Sequence, residues 1–331
     1  MKKFISIKEE ILSEIKSGKL KSLDKLPVRE TLIRKYGVTR ATLNKAIGEL
    51  IKEGWLKAVR SQGTFVSSGP DKIRMALVCD FSLQEKTVNA PKFAHMVDAL
   101  NYILVSSFDG KFDFIDSLKA SKDMSFISSY DIVVWIIPDD ATLAKIQEYK
   151  HKVLIINRYG TALNYVSTNH RKAVSNITEH FIAKFSGTVN LFYLDMDQDD
   201  FIARERRAGF MDACRSHDLF YSFCRISRVF QENVDNLMAT RFDAEKANVI
   251  VSPTASVTGA VLRMAYLRKL QMGKDFYYSD FDNANSVENT GIAIPSVLQD
   301  YAAMGREAAS AMKNVIQGPV QLYVPHRLIN I

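Results

Sequence analysis

The chain has 331 residues, 47% apolar and 24% charged, which is the balance of globular domains and excludes a disordered chain. No apolar run approaches the roughly 18–20 residues that span a bilayer. Lys8, Glu9 and Glu10 break the N-terminal stretch where a signal peptide needs its apolar core, so a cytoplasmic protein of two or three domains is expected. The formal net charge of +7 is unevenly placed: residues 1–70 hold 15 Lys/Arg against 7 Asp/Glu, and the remainder is close to neutral. A compact basic head on a neutral body is the footprint of phosphate binding. Cys79, Cys214 and Cys224 are odd in number and contain no CxxC, giving neither a disulfide framework nor a zinc site. His217 stands three residues after Cys214, but two ligands do not close a four-ligand site. No metal and no cofactor are expected.

Ser6-x-x-Glu9 reads as a capping box that opens a helix with Ile7, Ile11, Leu12 and Ile15 at helical spacing. Gly18 ends it, a short loop follows, and Pro27 suits the first turn of a second helix carrying Leu32, Ile33 and Tyr36. Gly37 permits a tight turn, and Thr39 caps a third helix whose buried stripe is Leu43, Ala46, Ile47, Leu50 and Ile51. Residues 55–59 and 64–66 then read as strands flanking the turn Arg60-Ser61-Gln62-Gly63. Helix, helix-turn-helix and hairpin make a winged helix over residues 1–68. The helix after Thr39 is its recognition helix, whose first turn enters a major groove. Arg40, Thr42, Asn44 and Lys45 face away from the apolar stripe. Arginine grips guanine with two hydrogen bonds and asparagine does the same to adenine, whereas Thr42 and Lys45 suit phosphates. Gln62 and Gly63 at the wing tip either enter a minor groove or lie along the backbone.

This stretch resembles the DNA-binding domain of the GntR family of bacterial regulators. The resemblance is carried by Lys25-Leu26-Pro27, Tyr36-Gly37-Val38-Thr39-Arg40-x-Thr42-Leu43, Ala46-Ile47-x-x-Leu50, Glu53-Gly54 and Gln62-Gly63-Thr64-Phe65-Val66. It implies that Arg40, Thr42 and Gly63 contact DNA. Two positions depart from the family: Glu30 stands where an arginine is usual, with Arg29 its neighbour and substitute, and Asn44 replaces a common second arginine.

Residues 69–72 read as a linker, and 73–331 alternate β-rich runs with amphipathic helices. The runs are 75–79, 112–115, 132–137, 153–156, 189–194, 249–251 and 276–279. The helices fall near 91–106, 140–149, 170–184, 201–216, 232–242, 256–270 and 300–317. Repeated βα units predict parallel sheets covered on both faces, an α/β body of two similar lobes. One lobe is expected at about 73–158 and 295–318, the other at about 159–294 and 319–331. Ligands on such sheets sit beyond the carboxyl ends of strands, which selects Asp80, Asn157, Arg158, Asp282 and Asn283. GxGxxG, GxxxxGK[ST] and GxSxG are absent from the sequence. The pairs Asp139/Asp140 and Asp199/Asp200 each precede a predicted helix, where capping accounts for them. Nothing asks for an enzyme.

The body resembles the sugar-sensing domain of LacI/GalR repressors, a type I periplasmic-binding-protein fold. The matching elements are residues 73–78, Tyr130-Asp131-Ile132-Val133-Val134, 153–158, 203–210, Phe281-Asp282-Asn283 and 304–309. The resemblance implies that Arg206 grips the ligand, that Asn157 and Asp282 hydrogen-bond its hydroxyls, and that Phe230 packs on a sugar face. Such side chains suit a polyol. The family's Asn-Asp after the strand at 249–251 is Pro253-Thr254 here, which leaves the hydroxyls of Ser252 and Thr254 in its place. Head and body together resemble arabinose-repressor-type GntR members. The expectation is a homodimer on double-stranded operator DNA, a repressor of carbohydrate-utilisation genes released by a monosaccharide-type effector, with no membrane partner. An amino-acid or nucleobase sensor, and a Rossmann-like enzyme with a DNA-binding head, are the alternatives.

Overall fold

The computed structural model describes residues 3–20, 24–59, 63–66, 74–80, 96–101, 112–160, 162–196, 199–226, 241–315 and 318–331. Two compact units divide the chain after Ile73. In the first, α1 (Lys3–Lys16), α2 (Arg29–Tyr36) and α3 (Arg40–Lys52) precede a hairpin of β1 (Leu56–Val59) and β2 (Gly63–Val66). Leu26, Leu32, Leu43, Ile47 and Leu50 close over Ile7 and Ile11 to form its core.

Two local expectations are corrected. Helix α1 starts at Lys3, so Ser6 lies exposed inside it and caps nothing; Phe4 packs against the core and extends the helix backwards. Pro27 stands just outside α2, whose N-cap is Val28. The loop before it is also part of the wing, because Leu26 N–H donates to Thr64 O at 2.8 Å and Val66 N–H to Asp24 O at 2.8 Å. Gly37 sits at φ 60°, ψ 43°, the left-handed conformation that the elbow requires and that a side chain resists. Thr39 caps α3 by accepting from Thr42 N–H.

The second unit holds two sheets of six strands each among the described residues. The first runs β13 (Gln321–Tyr323), β7 (Asn164–Ser167), β6 (Val153–Ile156), β5 (Ile132–Ile136), β3 (Met75–Cys79), β4 (Phe112–Asp116), all parallel. The second runs β14 (Arg327–Ile329), β12 (Ser296–Leu298), β11 (Tyr277–Phe281), β10 (Ala247–Val251), β8 (Val189–Met196), β9 (Tyr221–Ile226), with only β14 antiparallel. Strands β3, β5, β6 and β7 are buried at every position, as both-face coverage demands. Helices α4 (Asp140–Ile146), α5 (His170–Lys184), α6 (Phe201–Ser216), α7 (Thr258–Leu267) and α8 (Tyr301–Val315) connect the strands.

The lobe boundaries fall elsewhere than the sequence placed them. Strands β7 and β13 pair in the first sheet and β12 in the second, so the chain crosses between lobes at 168–169, 299–300 and 324–326. Strands of three or four residues carry too little alternation to be read as strands, and in the six-residue β9 polar and charged residues interrupt the apolar run. Sequence reading passed over β7, β9, β12, β13 and β14. Most of the helices expected at 232–242 and 91–106 lies outside the described residues; 96–101 is helical and 241–242 is not. Helices α5 and α6 pack so closely at Gly209 that a Cβ there would stand 2.0 Å from the Arg171 carbonyl oxygen.

Candidate functional site

The exposed face of α3 carries Arg40, Asn44 and Lys45, with Thr42 half-buried at its edge. Thr39 and Thr42 hydroxyls lie 3.0 Å apart, so the first turn is tied to its own cap. Lys45 Nζ sits 4.6 Å from the centroid of Phe4, which orients its ammonium toward α1. Arg29, at the start of α2, donates from Nε to the Asn44 carboxamide oxygen at 3.2 Å and from Nη2 to Thr64 Oγ1 at 3.0 Å. The structure thus joins Arg29 and Asn44 to the wing. Gly63 has φ 120°, and a Cβ there would meet Lys25 Cε at 2.9 Å. Lys25 is a basic neighbour of the wing that sequence reading did not single out. Gln62 lies outside the described residues.

In the body, the ends of three strands turn through left-handed backbone at Ile137 (φ 50°), Asn157 (φ 61°) and Asp282 (φ 64°). Asparagine and aspartate tolerate this region better than a β-branched residue does. Such conformations gather where the surrounding structure must aim a side chain. Asn157 is aimed at His170, whose Nε2 lies 3.1 Å from Asn157 Oδ1. His170 Nδ1 in turn lies 3.4 Å from Arg206 Nη2. Arg206 has no acceptor to offer, so Nδ1 accepts and Nε2–H donates to Asn157. Burial first, then the Arg206 and Arg158 charges, hold His170 well below its ordinary pKa, which keeps it neutral for this role.

Arg206 is only 9% exposed. Its guanidinium carbon stands 3.5 Å from the centroid of Phe281, and Nη1 donates to Pro253 O at 2.5 Å. Burial lowers its pKa, and the nearby Asp282 charge opposes that shift. Arg206 Nε and the Tyr193 hydroxyl are buried without a hydrogen-bond partner among the described residues. Both side chains line a cavity of about 210 Å³, with Asp195, Asp200, Pro253, Thr254 and Ser256 completing most of its wall. The cavity lies at the carboxyl ends of β8 and β10, where an α/β sheet places its ligand. Its size falls below the range for drug-sized ligands and admits a small molecule.

The other expected residues divide. Thr254 reaches the cavity, although its hydroxyl accepts from Ser256 N–H at 3.2 Å, and Ser252 Oγ donates to Thr254 O at 2.8 Å. Asp282 is directed to a lobe crossing: it accepts from Gln299 N–H, Gln299 Nε2 and the Tyr301 hydroxyl at 3.1, 2.7 and 2.8 Å. Arg158 is buried, donates to Asn157 O at 2.9 Å and has its pKa drawn down to about 10 by burial. Asn283 donates to Asp280 at 2.6 Å. Asp80 ends β3 half-buried and is not among the cavity residues. Phe230 lies outside the described residues. Asp139 and Asp200 cap α4 and α6, as expected of the acidic pairs. Tyr193, Asp195 and His170 were missed; Tyr193 and Asp195 alternate inside a strand and His170 opens a helix, so no local pattern marks them.

Residues 5–66 match the family of bacterial regulatory proteins named gntR. The head is a GntR-family winged helix. The GntR segment is 43% identical over 65 residues to an arabinose metabolism transcriptional repressor of Geobacillus stearothermophilus, a match covering 20% of this chain and 18% of that protein. The chain therefore spans about a fifth of that relative's length. Beyond the head the likeness is one of fold. A transcriptional regulator CelR in complex with cellobiose superposes with a TM-score of 0.59 at 17% identity, covering 92% of this chain and 98% of that one. The trehalose repressor from Escherichia coli superposes with a TM-score of 0.58 at 14% identity, covering 78% and 100%. The body behind the GntR head has the two-lobed LacI-type fold, and helices long and apolar enough to cross a membrane are absent among the described residues.

Proposed function

We propose that this chain is a ligand-responsive transcriptional regulator, a cytoplasmic homodimer that represses carbohydrate-utilisation genes until a monosaccharide-type effector releases it from operator DNA. The observation that carries the reading is the GntR match over residues 5–66, joined to a buried arginine whose Nε has no hydrogen-bond partner among the described residues, in a small cavity of the body. In this reading residues 1–68 bind DNA, 69–72 link, and 73–331 sense and dimerise. Arg29, Thr39, Arg40, Thr42, Asn44, Lys45, Gln62 and Gly63 form the DNA surface. Arg206 and Thr254, with Tyr193 and Asp195 added, hold a polyol; Asn157 supports Arg206 through His170, and Asp80, Phe230 and Asp282 complete or support that site. A guanidinium gives hydroxyls charge-assisted hydrogen bonds, and Tyr193 and Thr254 supply neutral ones. Exposed Leu118, after β4, and Phe220 and Phe223, at β9, offer apolar surface to a second copy; β4 and β9 are edge strands among the described residues.

Effector binding shifts the DNA equilibrium only by its differential affinity for the two states, a coupling on the order of 1–3 kcal/mol. The test selects duplexes from a randomised pool with the full-length chain, then titrates the complex with arabinose, glucose and galactose while following anisotropy. Release by one of them supports the reading. Failure to enrich any sequence removes the DNA half, and an unmoved complex across the sugars removes the monosaccharide half. Arg40→Ala should erase preference at the base it faces, while Lys45→Ala should weaken all duplexes alike and reduce the salt slope by about one.

A further inference from the structure

Asn44 stands one turn beyond Arg40 on the exposed side of α3, and Arg29 opens α2. The Arg29 guanidinium is held at two points, by the Asn44 carboxamide oxygen at 3.2 Å and by Thr64 Oγ1 at 3.0 Å. Thr64 belongs to β2 and is buried, so the grip comes from the wing as well as from the recognition helix. Arg29 is half-buried, and the Arg40 charge is close enough to depress its pKa after burial has done so.

A carboxamide has one acceptor end and one donor end, whereas a guanidinium only donates. Arg29 therefore decides which end of Asn44 it holds. With the oxygen turned toward Arg29, the NH2 group on the other side of the carboxamide is the end left to face a groove. Adenine shows an acceptor at N7 and a donor at N6, so an asparagine reads it by using both ends; guanine shows two acceptors, N7 and O6. An NH2 presented to the adenine N6 amine sets donor against donor.

We propose that Arg29 fixes Asn44 as a hydrogen-bond donor, so that the recognition helix reads guanine rather than adenine at the base Asn44 faces. Arg29 is then a positioning residue whose effect on specificity passes through Asn44. The proposal rests on the DNA-binding reading above and replaces the adenine contact that asparagine alone suggests.

The experiment selects duplexes from a randomised pool with four full-length chains: wild type, Asn44→Ala, Arg29→Met and Arg29→Lys. Methionine keeps the packed stem without a donor, and lysine keeps a charge that can still hold the oxygen. The wild-type chain should enrich guanine at the one position where Asn44→Ala loses preference. Arg29→Met should move that position toward adenine, changing the guanine-to-adenine ratio on the order of tenfold, and Arg29→Lys should retain guanine. Retention by lysine separates orientation of Asn44 from loss of fold, which thermal melts of each variant also check. Adenine in the wild-type selection, guanine retained by Arg29→Met, or no change with Asn44→Ala overturns the proposal and leaves DNA binding intact. Failure of the wild-type chain to enrich any sequence overturns both.

Discussion

The Asp140 carboxylate of one lobe accepts from the Arg204 guanidinium of the other at 2.7 Å, and also from the Phe201 N–H at 3.1 Å. Asp140 begins α4 and Phe201 begins α6, so the acidic start of one helix satisfies a backbone donor at the start of another across the cleft. Tyr159 adds a second bridge by donating to Glu205. Its ring packs edge-on to Phe201 and to Tyr323, which fills the space beside His170 with aromatic surface. Polar links and aromatic packing thus join the two lobes at this point, beside the crossings of the chain itself.

Asp140→Ala should destabilise the body more than Arg204→Ala. The ion pair is exposed on both sides, and such pairs contribute less than about 1 kcal/mol. Each variant loses one further bond: Arg204→Ala frees the exposed Asp199 O, which water satisfies, whereas Asp140→Ala takes the acceptor from the half-buried Phe201 N–H, adding about 1 kcal/mol. Thermal melts of the two variants decide it, and equal losses would contradict the role of the backbone bond.

Arg206→Met should abolish the effector's effect on DNA while leaving the melting temperature unchanged or higher. A buried guanidinium without a described ion pair is expensive to desolvate, and an apolar replacement of similar volume is often neutral or stabilising. Melting curves with and without arabinose, glucose and galactose test both halves. A variant that still responds to the effector bound by the wild type would remove Arg206 from the site.

Acid should weaken the body below pH of about 6.5. His170 is held neutral by burial and by the Arg206 and Arg158 charges, so its folded pKa lies below the unfolded one. Above the unfolded value neither state binds the proton and the group contributes no pH dependence. As pH falls through that value the unfolded chain gains a proton that the folded chain refuses, and stability drops by up to about 1.4 kcal/mol per pH unit. His170→Gln keeps a donor for Asn157 and an acceptor for Arg206, and should flatten this slope in urea titrations between pH 5 and 7.5. His326, also depressed by burial, retains a smaller share.

Gly209→Ala should be among the most damaging single changes in the body. The added carbon would stand 2.0 Å from the Arg171 carbonyl oxygen, and neither backbone can yield without separating α5 from α6. Overpacking of this kind costs about 1–3 kcal/mol or more, and circular dichroism melts should show it without any change in charge.

The head was legible because its signals are local. Gly37 at an elbow, Thr39 at a cap and the Leu43, Ala46, Ile47, Leu50 stripe each need only their neighbours in sequence to be read, and the structure places them so. The buried strands at 132–136 and 153–156 were legible for the same reason, as short apolar runs between helices. The start of α1 was not, because Phe4 joins the helix through contact with the distant core rather than through a capping pattern.

By itself the sequence determined the basic head, its helix register, the α/β alternation of the body, and the residue types at strand ends. Only the tertiary structure decided what those residues do to one another. Asp282 was a candidate for ligand hydroxyls, and folding turns it to Gln299 and Tyr301 at a lobe crossing. Asn44 was a reader of adenine, and Arg29 from another helix takes its oxygen. Tyr193 and His170 were ordinary residues of a strand and a helix until the fold set them beside Arg206. The physical reason is that a hydrogen bond is directional and short, so folding sets the roles of Asp282, Asn44 and His170 by the partner it brings within about 3 Å, and that of Tyr193 by placing its side chain at the cavity wall.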